Sequence, residues 1–433
     1  MQTSLALLNK RRFLPLFVTQ FLNAFNDNFF KMAMVILVTY HIYSDPKVEA
    51  SFNALAGAVF ILPFFLLSAV SGQLADRVDK IRVIRAVKSA EIGIMIVGAG
   101  GMMLENVPMM LLALFAMGVH STFFGPIKYG ILPQHLEEKE VLGGTGLVEA
   151  GTYIAILAGT IAGGIIPPAW SAIGVIACAI IGRAAAQYVP AAPPENGTAQ
   201  IKLDWNIFRG SYRLLKEILH YRRLRLAIIC ISFFWAIGAV LASQFPPMVK
   251  NALGGDNTVA TLFTAIFSVG VAIGSVAVNR LLKGEVSARY SPISVIFMGL
   301  FVLLLWWNIR IWPHATDQLM DYRDFLSLTQ GDFILISLFG IAVAGGMFVV
   351  PLYAFLTTTV AKSATARTIA ANNIVNSGAM VAGALFYALL VHFGVSIADT
   401  LFLIAAACLV SAWLAYLLHQ ASKDNHSEPD LKL

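Results

Sequence analysis

SGQLADRVDKIR, Ser71 to Arg82, sits between two apolar runs, 51–75 and 82–104. Asp76, Arg77, Asp79, Lys80 and Arg82 crowd into this short stretch, while the run at 51–75 before it carries no charge. Each run holds about 20 residues or more, the length an α-helix needs to cross a hydrocarbon layer of about 30 Å. A charged turn between two crossing-length runs belongs at a membrane surface. On its own it is also compatible with an ordinary stop-transfer cluster.

The same pattern extends along the chain. Twelve apolar runs are expected as membrane spans, at 13–42, 51–75, 82–104, 108–130, 145–167, 169–189, 225–249, 258–282, 290–311, 331–357, 366–393 and 396–419. The 433 residues are 58% hydrophobic and only 12% charged, with a mean hydropathy of +0.75. A soluble domain carries about twice that share of charge, so the composition excludes a single soluble core and fits a multi-spanning membrane protein. Twelve spans return the two termini to one side. The loops and helix ends on that side hold 24 of the 30 Lys and Arg residues, and the opposite loops hold Lys47, Lys250, Arg310 and Arg323. The bias predicts cytoplasmic N- and C-termini in a multi-pass membrane protein. The net charge of +6 is therefore read as topology, and no nucleic-acid partner is expected. Lys10, Arg11 and Arg12 precede a run too long for a signal-peptide core, so span 1 is expected to be retained.

The expected organisation is a six-helix bundle at 1–189, a linker at 190–224, a second six-helix bundle at 225–420 and a polar tail at 421–433. The linker opens on PAAPPENGT. It continues with Trp205, Phe208, Tyr212, Leu215 and Leu219 at helical spacing beside Arg209, Arg213, Lys216, Arg222 and Arg223. This pattern suits a basic amphipathic helix on an anionic leaflet, or a plain connecting helix. Two pairs of stretches suggest that the halves are repeats. SGQLADRVDK (71–80) resembles GSVAVNRLLK (274–283), and FFGPIKYG (123–130) is placed like FVVPLYAF (348–355). Parallel repeats point to a transporter with its site near the bilayer midplane.

Span 1 contains FLNAFNDNFFK, Phe21 to Lys31. At about 100° per residue, Gln20, Asn23, Asp27 and Lys31 fall within about 80° of one another. Phe21, Phe25 and Phe29 form a separate apolar row. A charge at the depth of Asp27 costs about 2.5–3.5 kcal/mol on insertion scales. That cost is tolerated where the residue faces water, a substrate or a partner. An Asp27–Lys31 self-pair is the structural alternative, but it leaves the flanking amides unexplained. Span 4 adds His120 and Lys128, with Pro126 and Pro133 interrupting the backbone, and Glu149 opens span 5 at a depth similar to Lys128. A Lys128–Glu149 pair is expected there. His120 has both a structural and a functional reading. Spans 7–12 carry almost no mid-span charge and are rich in Phe, Met and Gly. A charged first half and an apolar second half suit a substrate with a zwitterionic head and an oily tail, in which carboxylates face an ammonium and lysines face a phosphate.

Enzymatic readings find no support. GGTGLVEAG (143–151) lacks the last glycine of a dinucleotide fingerprint and has no preceding strand. HLEEKE (135–140) offers no complete metal-ligand set. No phosphate-binding Walker motif is present, and no cofactor is expected. Cys178, Cys230 and Cys408 are far apart within apolar runs and show neither metal-ligand spacing nor a disulfide framework.

GQLADRVDKIR (72–82) resembles the loop between helices 2 and 3 of the major facilitator superfamily, G-x-L-x-D-R-x-G-[RK]-[RK], departing at Asp79, where the family has Gly. The resemblance implies an all-α membrane protein of two six-helix pseudo-repeats. It further implies a cytoplasmic gate in which Asp76 and Arg77 meet the start of span 11 near Arg367, with Arg82 in the same gate. FLNAFNDNFFK and FFGPIKYGILPQHL (123–136) together resemble the bacterial lysophospholipid transporter family, across essentially the whole chain. That family flips lysophosphatidylethanolamine and related lysolipids from the outer to the inner leaflet of the inner membrane for reacylation. The resemblance implies that Asn23, Asp27, Lys31 and Lys128 line the headgroup path; the residues themselves add His120 and Glu149 as candidates. It also implies membrane lipids as surroundings and a separate acyltransferase or acyl-acyl-carrier-protein synthetase as partner. Two other classes remain open. One is a proton-coupled carrier of a soluble small molecule, with Asp27 or His120 as the proton site. The other is a non-transporting scaffold that docks lipid enzymes through the 201–225 helix.

Overall fold

The computed structural model describes residues 5–38, 42, 46–194, 204, 206–312, 319–393 and 395–423. Trp205, Asn196 and the tail beyond Lys423 lie outside the described residues. Twelve long helices are present among them. In chain order they are α1 (Leu14–Leu37), α2 (Pro46–Arg77), α3 (Lys80–Met103), α4 (Val107–Gly130), α5 (Glu138–Ile165), α6 (Pro168–Ala186), then, after the shorter α7 (Ile207–His220), α8 (Arg222–Pro247), α9 (Asn257–Leu281), α10 (Ser291–Arg310), α11 (Thr329–Thr358), α12 (Thr365–His392) and α13 (Ile397–Lys423). Ten of the long helices are apolar enough to cross a membrane by length and composition. The other two, α1 and α3, have 24 residues each, about 36 Å of helix. They carry Asn23, Asp27, Lys31, Lys88 and Glu91 of the candidate site.

Two compact units emerge from the contacts. The first takes Met1–His220 with Leu356–Ile374, and the second takes Tyr221–Phe355 with Val375–Glu428. Within the first unit α1 lies along α5 and α6, and α4 packs between α2 and α3. The α1–α5 approach is close because α5 presents Gly159 and Gly163, four residues apart. A Cβ at Gly163 would fall 2.6 Å from the Phe29 carbonyl oxygen. Small residues at this spacing let membrane helices meet backbone to backbone, where dispersion contacts replace the hydrophobic effect as the source of stability. Beside this seam, Phe30, Met34, Met95, Met110, Leu114 and Met117 fill the interior. Ile173, Ile181, Leu112 and Phe65 point outward, as apolar residues of lipid-facing helix surfaces do.

In the second unit α13 packs on α10 and α8. The long connection before α11, for which the sequence suggested no role, is tied down at several points. Met320 exchanges backbone hydrogen bonds with Gly254 and Asp256 at 2.8 and 2.9 Å. Trp312 stacks on Phe325 at 5.5 Å and donates to the Leu253 carbonyl at 3.0 Å. The connection thus clamps the turn between α8 and α9.

The turn at 71–82 resolves the departure at Asp79. Its φ is −54° and ψ 118°, so no left-handed backbone is required. Instead Asp79 caps α3, accepting from the Ile81 amide at 3.0 Å, and it also accepts from the Ala192 amide at 3.1 Å. A carboxylate at a helix N-terminus satisfies an orphan donor and the dipole together. Glycine would supply neither interaction.

Candidate transport site

The polar row on α1 is buried inside the first unit. Asp27 is 7% exposed. It accepts from Ser121 Oγ of α4 at 2.6 Å and from Asn23 Nδ2 at 3.3 Å, and Asn23 also reaches Ser121 Oγ at 3.3 Å. Gln20 accepts from Thr152 of α5 at 3.0 Å. The amides that a self-pair left unexplained are therefore the residues that join α1 to α4 and α5. Lys31 lies one turn beyond Asp27 and is half-buried.

A second charged group adjoins this row, and sequence reasoning missed it. Lys88 and Glu91 of α3 form an ion pair, and both side chains are wholly buried. Glu91 Oε1 accepts from Asn26 Nδ2 at 2.7 Å, and its other oxygen lies 3.4 Å from His120 Nε2. Gly182 of α6 makes room for the lysine, since a Cβ there would lie 2.9 Å from Lys88 Cε. An opposite-charge pair at i,i+3 within an apolar run was the available signal. It was obscured because Lys88 lies near a basic loop and was counted with it. A continuous polar line results: Lys88, Glu91 and His120 connect through Ser121 to Asp27 and Asn23.

Glu149 and Lys128 meet through a phenol. Tyr129 donates a hydrogen bond to Glu149 Oε1, and the Lys128 ammonium sits 4.8 Å from the Tyr129 ring centroid. The direct pair expected from their depth is thus replaced by a shared aromatic partner. Within the helices of the first unit, Lys31, Lys88 and Lys128 thus accompany Asp27, Glu91 and Glu149, while the buried Asp76 and Lys80 lie at the charged turn. In the second unit, described charges of α8–α13 sit at helix ends.

The charged turn meets the start of α12. Asp76 Oδ1 accepts from the Ala366 amide at 3.2 Å, while Oδ2 accepts from the Arg367 amide at 3.2 Å and from Arg367 Nε at 3.0 Å. The carboxylate thus sits on the exposed amides that open α12, where an anion is stabilised. Arg367 Nη1 also reaches Glu217 of α7 at 3.6 Å. Gly72 allows this approach, because a Cβ there would lie 2.5 Å from Ala370 Cβ and 3.0 Å from Arg367 Cα. Arg77 is half-buried in the last turn of α2, and Arg82 is exposed on the first turn of α3.

The Major Facilitator Superfamily family model matches residues 16–322, most of the chain. The chain belongs to the Major Facilitator Superfamily. It is thus a multi-pass secondary transporter of that superfamily and not an enzyme. Superfamily members of known structure share the fold. The human organic anion transporter MFSD10 aligns with a TM-score of 0.74 over 94% of this chain and 99% of its own, at 12% identity. The fucose:proton symporter FucP of Escherichia coli aligns with a TM-score of 0.64 over 94% and 98%, also at 12% identity. Among superfamily sequences, the lysophospholipid transporter LplT of Escherichia coli O157:H7 (strain EC4115 / EHEC) is 28% identical over 388 residues, 88% of this chain and 89% of its own. The lysophospholipid transporter LplT of Photorhabdus laumondii is 28% identical over 393 residues, with the same coverage.

Proposed function

We propose that this chain transports lysophospholipids, flipping lysophosphatidylethanolamine and related lysolipids from the outer to the inner leaflet of a bacterial inner membrane by alternating access. The observation that carries the reading is the buried polar line around Asp27 in a unit whose neighbour keeps its charges at helix ends. Lys88 and Glu91 neutralise each other. Asp27 and Glu149 then remain for an ammonium, and Lys31 and Lys128 for a phosphate. That set complements a zwitterion better than a simple anion or cation. The likeness to LplT supports the same substrate class.

Asn23 and Ser121 hold the Asp27 carboxylate on the headgroup path. His120 belongs to the support behind it, through Glu91 and Ser121. Asp76 and Arg367 close one end, with Arg77 and Arg82 flanking the turn, and that end faces the cytoplasm under the charge bias of the loops. The translocated lysolipid passes to a separate acyltransferase or acyl-acyl-carrier-protein synthetase for reacylation.

Ligand-induced thermal stabilisation of the purified protein tests the substrate class, since a ligand that binds only the folded state raises the melting temperature. Lysophosphatidylethanolamine is expected to stabilise the wild type more than a diacyl lipid or a soluble zwitterion of the same headgroup. Stabilisation by soluble molecules with none from lysolipid would favour a soluble-substrate carrier.

A further inference from the structure

The segment that the transport reading leaves unused is α7. The apolar row expected to define this helix is not the row that docks it. Gly210, Leu214 and Ile218 are buried, and Gly210 lies against Ala69 and Gln73 near the end of α2. Phe208 and Tyr212 are instead 75% and 70% exposed. At about 100° per residue, Leu215, Phe208, Leu219 and Tyr212 fall within about 60° of one another. Lys216, Arg209 and Arg213 form an adjoining row, about 90° further round the helix. The docked row lies opposite the boundary between these two. The outward side of α7 thus carries an apolar strip beside a cationic strip.

The position of α7 fixes its surroundings. It packs at the charged end of α2, whose membrane-crossing stretch runs from Leu55 to Arg77. The Asp204 backbone amide donates to Gln73 at 3.0 Å, which pins the start of the segment to the same level. A helix that crosses a bilayer ends at the depth of the lipid headgroups. Aromatic rings beside arginines and a lysine at that depth match an interface whose lower part is hydrocarbon and whose upper part is phosphate.

We propose that the outer face of α7 binds the headgroups of anionic phospholipids, and that Glu217 links this anchor to the Asp76–Arg367 gate. Phe208 and Tyr212 enter the acyl boundary, while Arg213 and Lys216 meet the phosphates. The same helix sends Glu217 to Arg367 at 3.6 Å, and Arg367 holds Asp76 at 3.0 Å. A lipid that fixes α7 therefore acts on a residue that closes the gate, and gate opening responds to membrane surface charge. The inference shares the membrane setting of the transport reading but not its substrate.

The test is a spin label at Phe208→Cys, in full-length protein with Cys178, Cys230 and Cys408 replaced by Ala, reconstituted in phosphatidylcholine with or without about 30 mol% phosphatidylglycerol. The expected result is a label reached by oxygen in preference to a water-soluble nickel complex when the anionic lipid is present. That preference falls roughly tenfold in R213Q/K216Q, the loss of two surface cations. A label reached mainly by nickel in both bilayers overturns the anchor, and equal burial in both overturns anionic recognition. The link to the gate is read at Val78→Cys by maleimide labelling. Its rate changes several-fold with phosphatidylglycerol in otherwise wild-type protein and not in E217Q. A rate insensitive to lipid overturns the link. No step uses lysolipid, so failure here leaves the transport reading standing, and absent lysolipid transport leaves the anchor standing.

Discussion

Glu91 of α3 accepts a hydrogen bond from Asn26 of α1 at 2.7 Å, and Asn26 is the residue immediately before Asp27. The charge pair on α3 thereby sets the rotation of α1 at the point where its central carboxylate is presented. Removing one partner from a buried ion pair leaves an uncompensated charge, at a cost of about 3–5 kcal/mol. Lys88→Met and Glu91→Gln are each expected to lower the thermal midpoint of the purified protein by several degrees. The double variant should recover part of that loss. Additive losses in a double-mutant cycle would contradict the pairing.

Asp27 behaves differently. Asn at this position keeps the shape and two of the contacts while removing the charge. The Asp27→Asn variant is expected to fold with a near-wild-type melting curve and to lose about tenfold or more in lysolipid transport, the loss of one charge-assisted contact. Comparison of melting midpoint with transport rate separates this role from a structural one.

At the gate, Gly72 lies where α2 meets α12. A methyl group there overlaps Ala370 Cβ. Gly72→Ala is expected to destabilise the closed contact by about 1–3 kcal/mol, the usual cost of overpacking. Asp76→Asn weakens the same contact by removing the anion from the α12 N-terminus. Both variants should show faster labelling of a cysteine at Val78 than the wild type. Unchanged labelling in both would contradict the gate.

One pH dependence follows from the start of α7. Arg209 donates to both Asp204 oxygens, at 3.0 and 2.9 Å, and holds that carboxyl below its usual range. The lowered value means that the contact stabilises the fold at pH above the ordinary carboxylate range. The contribution is lost as pH falls through the folded-state value. Protection from hydrogen exchange at residues 206–210, taken relative to the intrinsic rate at each pH, should therefore be high at neutral pH and fall under acid before the long helices open. Asp204→Asn should show the low protection at every pH.

The helical architecture was legible because apolar runs of crossing length and biased loop charges leave few alternatives. The pairing of Asp76 with Arg367 was different. The two residues are 291 positions apart, and only the likeness of one loop to a family pattern pointed from one to the other. Lys88 and Glu91 escaped notice because a lysine two turns from a basic loop looks like part of that loop. Only the packing of α3 against α1, α4 and α6 shows it to be interior. On α7 the periodicity offered an apolar row through Phe208 and Tyr212, but the docking row begins at Gly210, which has no side chain to register in any hydropathy pattern. Close approach is decided by missing atoms as much as by apolar ones.

The most direct test of the central claim is leaflet-resolved transport of labelled lysophosphatidylethanolamine by purified protein in proteoliposomes, beside Asp27→Asn and with or without a pH gradient. Protein-dependent movement between leaflets that collapses in the variant is the predicted result. No movement by well-folded wild-type protein, or equal movement by the variant, would contradict it.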